Sequence, residues 1–429
     1  MAGKSRLSVS GMSGSYVTHF ASSMIMIVPF MLAVSWLSYT ESAYSFRQDD
    51  YRLEIAFILT SLISLGWLMS MVVGIAFDLF PITHDKDAYT RTHSNQYLMI
   101  NMIGQVVILA GIFSNNLKLM LEMATIGLVL LCWGLITVAW PSWKLHVNAK
   151  SNEINSGNIA LIPALLIPIS SLTILSCWVF RQNTGFLNFG FSFNVVVMMG
   201  TIALTMVLAH FNRRLSWGLV RDTDFRPVVA IYLVLALIHC FSAFLYEKGH
   251  VSEGLAGVTQ SLPFLWAFIS TRPIKLIRNA MGKNSKPHSK MIASAQWYFL
   301  IVGLMSLIPD FDEGKFINIS YVTLIFSTVV LSIWGFGIYL HEDHLHRSIH
   351  NRSNLNLMLF YNTIGVISLV MIGFRVTIFG DNSDLIYFLM RNFALSAMMI
   401  YMVIIMFKGL ILSLDTWHRM PMHYKHYTR

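Results

Sequence analysis

Charge is what this sequence has least of. Asp, Glu, Lys and Arg supply 12% of its 429 residues, against about a quarter in a soluble globular chain. That shortage excludes an ordinary soluble enzyme of this length, whose surface needs far more charge. Cysteine is scarce as well. Cys132, Cys177 and Cys240 each stand inside an apolar run, so no disulfide framework and no CxxC metal motif is expected. The opening MAGKSRLSVSGMSGSY is polar and weakly basic, and no small-residue cleavage site follows the first apolar run. A cleaved secretory leader is therefore not expected. The sequence also lacks a Walker loop, a dinucleotide fingerprint, a zinc-protease motif and a catalytic triad.

Hydrophobic residues fill the chain instead: they make up 55% of it, with mean hydropathy +0.60. Crossing the hydrocarbon layer takes a helix of about 20 apolar residues. Runs of that kind predict twelve spans, near 17–38, 53–80, 96–114, 118–141, 157–180, 187–211, 226–246, 254–271, 291–309, 316–340, 354–375 and 384–413. The expected fold class is all-α integral membrane, a single polytopic domain over 1–429. Lys and Arg divide unevenly between the alternate sets of loops, twenty-one on the side that holds Lys86, Arg213, Lys283 and Arg347 and seven on the other. By the positive-inside rule both termini face the cytoplasm, and the expected location is the cell inner membrane, crossed many times. The net charge of +9 follows from that topology. It does not predict a nucleic-acid partner, because no soluble basic surface exists to bind one. The expected partners are the lipid bilayer and either another membrane protein or a second copy of this chain. The basic, aromatic tail from Asp415 to Arg429 reads as an interfacial anchor or a docking segment.

Three stretches share one layout, Gly66 to Phe113, Val195 to Phe244 and Leu331 to Phe374. Each is an apolar span, a basic His-bearing turn and another apolar span, offset by about 130 residues in the manner of an internal repeat. Asn101-Met-Ile-Gly104 and Asn362-Thr-Ile-Gly365 occupy corresponding places. Four spans per unit is an even number, so the expected units (about 17–141, 157–271 and 291–413) run parallel rather than inverted.

Twelve spans in three parallel four-helix units resemble subunit I of the heme-copper oxidases and nitric oxide reductases, and their short solitary relatives. Leu65-Gly66-Trp67, Gly74 and Leu79-Phe80-Pro81 look like the LGW…G…LLP pattern of the second span in the short relatives. Phe360-Tyr-Asn-Thr-Ile-Gly365 resembles the eleventh span of the family. The resemblance implies a heme-ligating His in the second span, where this chain has Leu59-Thr-Ser-Leu62. It implies a His and a Tyr one turn apart in the sixth, which reads Phe191-Ser-Phe-Asn194. It implies a His pair in the seventh, where His239 is followed by Cys240, and His-x-His in the tenth, where Tyr321 to Tyr339 holds no histidine. Such a relative keeps the scaffold without the usual two hemes and copper. Oxygen and NO reduction are disfavoured, and a redox-associated, NO-response or heme-handling role is the reading left, with His239 as the heme candidate.

The stretch YLHEDHLHRSIHNR, Tyr339 to Arg352, packs four histidines and two acids into fourteen residues. A helix advances about 100° per residue, so His341 and His344 share one face while Asp343, His346 and His350 share the opposite one. Either set could hold a transition metal. The plainer reading is a wetted helix end beside the topology-setting Arg347 and Arg352. His19, Asp78 and His210 lie at the same depth as His341 and are candidates for a titratable path, against snorkelling to water. Asn101 and Asn362, with Gln105, Asn194, Gln260 and Gln296, would line the same path through the spans. Such a path defines the alternative function, a secondary transporter or channel. The plainer reading of His239 is a hydrogen-bonded contact between helices.

Overall fold

The computed structural model describes residues 15–44, 52–75, 91–114, 116–148, 184–216, 226–280, 287–308 and 319–345, and the single positions 360, 363, 367, 407 and 411. Every element among them is helical. Five of these helices are long and apolar enough to cross a membrane: Phe57–Ile75, His93–Phe113, Lys118–Trp140, Phe186–Leu208 and Pro227–Glu247. Shorter apolar helices cover Thr18–Phe30 and Ser327–Tyr339. The described residues thus form helices and the turns that join them, with the apolar helices of a membrane protein. The expected span 157–180 lies outside the described residues, and so does nearly all of 354–375 and 384–413.

The elements are α1 (Ser15–Tyr44), α2 (Arg52–Ser61), π1 (Leu62–Leu68), α3 (Arg91–Phe113), α4 (Leu117–Asn148), α5 (Thr184–Ser192) and π2 (Phe193–Met199). There follow α6 (Gly200–Ser216), α7 (Arg226–Glu247), α8 (Glu253–Ser270), α9 (Pro273–Ala280), α10 (Pro287–Met305), α11 (Ile319–Thr323), π3 (Leu324–Val329) and α12 (Val330–Leu345). Local chemistry sets several of their ends. Gly249 takes φ +73° just after α7. There the His250 amide reaches the Leu245 carbonyl at 2.9 Å and the Gly249 amide reaches Tyr246 at 2.8 Å. This is the paired bonding of a glycine-terminated helix, and it permits the tight return into α8. Proline opens α9 and α10, where its missing N–H costs nothing.

The helices sort into an inner and an outer set. On α4 the exposed residues Leu119, Ile126, Val129, Trp133, Ile136 and Trp140 recur at sevens, threes and fours, which keeps them on one stripe. Met99, Ile103, Val106 and Phe113 do the same on α3, and Ile231, Val234, Ile238, Phe241 and Leu245 on α7. Their inner faces pack inward, α3 on α4 and α7 on α8. Close approach of α3 to α4 depends on small residues: a Cβ at Gly104 would sit 3.0 Å from the Gly127 carbonyl oxygen. The run through α2 and π1 and the run through α5, π2 and α6 are enclosed almost wholly by protein.

The enclosed helices carry a feature that their even apolar sequence does not announce. The segments π1, π2 and π3 begin at Leu62, Phe193 and Leu324, so the three starts are equally spaced along the chain. At the end of π1 the Met69 amide reaches the carbonyls of Ser64 and Gly66 and passes over that of Leu65. At the end of π2 the Gly200 amide reaches Val195 and Val197 and passes over Val196. Each bypassed carbonyl is met by a side chain from the following helix. Asn101 Nδ2 donates to the Leu65 oxygen at 3.0 Å, and the Tyr232 hydroxyl donates to the Val196 oxygen at 2.8 Å. The interval from Leu65 to Val196 equals that from π1 to π2, and so does the interval from Asn101 to Tyr232. A widened turn frees a carbonyl, and in an apolar interior that carbonyl must be satisfied by a donor from elsewhere.

Asn101 also accepts from Gln105 Nε2 at 2.6 Å and lies 3.2 Å from the Tyr97 hydroxyl. Asn101→Leu would strand the Leu65 carbonyl and the Gln105 amide together. The expected loss is about 2–3 kcal/mol, from two buried polar groups left without partners. Thermal unfolding of detergent-purified protein measures it, and an unchanged midpoint would show that the π1 carbonyl needs no donor.

Candidate functional site

Two clusters of buried polar side chains occur where the enclosed helices meet. The first joins α7, α11 and α5. His239 on α7 lies with Nε2 2.6 Å from the Tyr321 hydroxyl on α11. Tyr321 in turn donates to Ser192 Oγ on α5 at 3.2 Å. With Tyr321 donating, the His239 ring donates from Nε2 to the phenol oxygen, and Nδ1 is the bare acceptor nitrogen. Two residues beyond Ser192, Asn194 Nδ2 donates to Ser61 Oγ at 3.0 Å and ties π2 to the end of α2. All five side chains are buried. Ser61, Ser192 and Thr323 stand immediately before the three π segments and share their even spacing.

Further buried polar atoms stand on π3 and on the helices beside it. His239 Nδ1, Asn194 Oδ1, Thr323 Oγ1, Ser327 Oγ and Thr328 Oγ1 are buried and make no hydrogen bond among the described residues. Each such atom costs about 1–3 kcal/mol in an apolar interior.

The second cluster joins α6, α10 and α12. The rings of His210 and His288 lie 5.2 Å apart between centroids, and Tyr339 lies 5.3 Å from the first and 5.1 Å from the second. Ser289 Oγ is 3.5 Å from His210 Nε2. By the expected spans, the next of which begins near 291, His288 would fall in a loop. The structure corrects this, because α10 opens at Pro287 and puts His288, buried, in its first turn.

His19 belongs to neither cluster. Its Nδ1 is 3.1 Å from the Ser70 carbonyl oxygen and its Nε2 2.8 Å from Ser94 Oγ, while the ring stacks on Tyr97 at 5.7 Å. A carbonyl accepts only, so Nδ1 carries the proton and Nε2 accepts from Ser94. His19 clamps α1 against the second span and α3. His19 and His210 are both buried, which does not fit the alternative in which these span-end histidines snorkel to water.

Helix α12 runs on to Leu345. Helicity therefore continues past Tyr339, with His341 and His344 three residues apart on one face and Asp343 off it. His346, His350, Asp78 and Asn362 lie outside the described residues. Asn101 serves the π1 carbonyl and takes no part in either cluster. Sequence reasoning missed Ser61, Ser192 and Tyr321. Their partners are 133, 129 and 82 residues away, so periodicity along one helix carries no sign of them.

His239 Nε2 is held by Tyr321, and direct hydrogen bonds join α2 to π2 and α5 to α11. Among the described residues no three His, Cys, Asp or Glu side chains gather as a metal site. No protein-family model and no curated protein matches this chain.

Proposed function

We propose that this protein is a proton channel or proton-coupled secondary transporter, built from three parallel four-helix units and twelve spans. The observation that carries the proposal is the His239–Tyr321–Ser192 chain, with the buried Thr323, Ser327 and Thr328 hydroxyls and the Asn194 oxygen, which make no hydrogen bond among the described residues. Hydroxyl and imidazole groups both donate and accept, so the chain can reverse its polarity. Either His239 donates to Tyr321 and Tyr321 to Ser192, or Ser192 donates to Tyr321 and Tyr321 to His239. Switching between the two orders moves a proton equivalent across the network, and histidine is suited to that task. An ionisable side chain inside a span is a functional-site candidate, and His239 is the ionisable member of this chain. The chemistry suits a proton, alone or with a small polar solute.

The even spacing of the π segments, matched by that of the donors Asn101 and Tyr232, supports the three-unit reading. Nearly the same interval beyond Tyr232 stands another polar donor, Asn362. This recurrence favours the heme-copper oxidase resemblance as a kinship of scaffold, with the heme and copper chemistry given up. A redox, NO-response or heme-handling role has no comparable support in the described geometry.

Reconstitution tests the function. Liposomes carrying the protein and a trapped pH-sensitive dye should acidify under a potassium-diffusion potential faster than empty liposomes. Equal rates, with and without a panel of small solutes, would overturn the proposal. Topology is checked separately. The basic loops at 81–95, 212–225, 272–290 and 341–353 and both termini are placed on the cytoplasmic side in this proposal, from the Lys and Arg bias. Single cysteines at 281–286, between α9 and α10, should react with an impermeant thiol reagent only in inside-out vesicles, and reaction in intact cells would refute the orientation.

A further inference from the structure

We propose that α9 and the corner before it form a headgroup site for anionic phospholipid, where α8 finishes and α10 begins. The site shares no residue with the His239 cluster, so either it or the proton path can fail without the other. Charge is the first support. Residues 272–290 hold six cations, and no Asp or Glu occurs between Glu253 and Asp310 to neutralise them. Arg272, Lys275, Arg278 and Lys290 are exposed, and their side chains make no hydrogen bond or ion pair among the described residues. Helical geometry then sorts α9 into two faces. At about 100° per residue, Ile274, Arg278 and Lys275 fall within one sector, and Leu276 stands on the other side. Leu276 is buried in one cluster with Val207 of α6 and Ile292 and Ala293 of α10. Ile274 is 80% exposed, more than any other large apolar side chain among the described residues. One face of α9 thus grips the bundle, and the other offers an apolar side chain beside two cations.

The corner is held in place by hydrogen bonds. Thr271 Oγ1 and Gln296 Nε2 of α10 both donate to the Ala267 carbonyl oxygen at 2.9 Å, which ties the end of α8 to α10. Arg272 follows in the left-handed region at φ 52°. Its carbonyl accepts from the Lys275 amide at 3.0 Å and the Leu276 amide at 3.2 Å, so the chain breaks from α8 and restarts at once as α9. Depth is the remaining support. The exposed residues of α8, Leu255, Val258, Leu262 and Ile269, keep to one stripe that covers about 21 Å of helix. Ile274 carries the stripe round the corner, and the cations begin where it stops. Hydrocarbon followed by headgroup phosphate is the order met at the edge of a bilayer, where basic side chains collect. A phosphate joined to acyl chains matches both halves of this surface, whereas a free phosphate would use the cations alone.

Phosphatidylglycerol and phosphatidylcholine are the probes, titrated into the full chain in detergent and counted by native mass spectrometry. Wild-type protein should retain phosphatidylglycerol in preference to phosphatidylcholine. A cation beside an anionic surface strengthens attachment about fivefold, so Lys275→Gln/Arg278→Gln should weaken phosphatidylglycerol binding by about tenfold or more and leave phosphatidylcholine unchanged. Lys118→Gln/Lys248→Gln removes the same charge from two other exposed positions and should bind as wild type. Lys275→Arg/Arg278→Lys should do so too. Ile274→Ser keeps every charge and should weaken binding severalfold, because the lipid uses the apolar half as well. Arg272→Gly suits the left-handed φ and removes a cation, so it should hold or raise the thermal midpoint while losing about fivefold in lipid affinity. A packing role would move stability and affinity together. No preference for phosphatidylglycerol in the wild type would overturn the site. Equal losses in Lys275→Gln/Arg278→Gln and Lys118→Gln/Lys248→Gln would overturn it too, by reducing the effect to net charge. Displacement of the lipid by millimolar inorganic phosphate, or an Ile274→Ser protein that binds as wild type, would assign the surface to a free anion or an acidic protein and overturn the lipid reading.

Discussion

Gly200→Ala is expected to destabilise this protein strongly. A Cβ at Gly200 would collide with the Tyr232 hydroxyl and come within 2.9 Å of the ring carbon that bears it. The hydroxyl has no room to retreat, because it is spanning the gap to the Val196 carbonyl that the π2 turn leaves free. Forcing the ring away loses that hydrogen bond and overpacks a wholly enclosed helix. The two effects together are worth about 3–5 kcal/mol. Tyr232→Phe alone strands the Val196 carbonyl and should cost about 1–2 kcal/mol. The pair should not add: with the hydroxyl gone, Gly200→Ala/Tyr232→Phe should be more stable than Gly200→Ala alone. Gly254→Ala is the control, since no atom lies within 4 Å of a Cβ there, and it should stay within about 1 kcal/mol of wild type. Thermal midpoints in detergent decide the matter. A Gly200→Ala protein as stable as wild type would mean that Tyr232 does not hold the π2 turn.

The contrast between Gly200 and Gly254 shows what was legible in the sequence. Apolar runs disclose spans, because crossing a hydrocarbon layer requires them, and helices stand at all the expected spans that fall on described residues. Runs of this kind do not disclose a π turn. Leu62-Ile-Ser-Leu-Gly-Trp-Leu68 and Phe193-Asn-Val-Val-Val-Met-Met199 share no residue pattern that an α-helix would refuse. What accompanies the wide turn at π1 and π2 is a donor on a different helix, 36 residues later in both cases. The recurrence is visible in the His-bearing turns and in the two Asn-x-Ile-Gly words. Its sharper expression, an equal interval from one π segment to the next, lies in the backbone. The site was less legible still. His239 stood out because an imidazole in a span needs a partner, but the partner is a tyrosine, an ordinary residue near a span end. The Tyr339–Arg352 stretch drew the eye by composition. The structure shifts attention one residue-cluster inward, to His210 and His288, whose helices meet through packing that no local pattern encodes.

Loss of the Tyr321 hydroxyl should cut proton flux at least tenfold in reconstituted protein, and this result bears most directly on function. Tyr321→Phe keeps the ring that packs on Phe191 and His239 but removes the one group that touches both His239 and Ser192. Proton transfer through a positioned side chain is commonly worth about 10²-fold or more, so a tenfold loss is the minimum expected if this link is obligatory. His239→Gln makes the complementary test. The amide can still donate to the Tyr321 oxygen, which keeps the contact between α7 and α11, but it cannot take a proton on one side and release it on the other. Flux should fall as far as in Tyr321→Phe, with the thermal midpoint near that of wild type. Ser192→Ala should fall between these variants and wild type, since the hydroxyl is a terminal member of the chain. Trp140→Leu, on the exposed apolar stripe of α4, should conduct as wild type. Full conduction by Tyr321→Phe would place the path elsewhere. A transport defect in His239→Gln matched by an equal loss of stability would reduce His239 to the hydrogen-bonded helix contact that is its plainer reading.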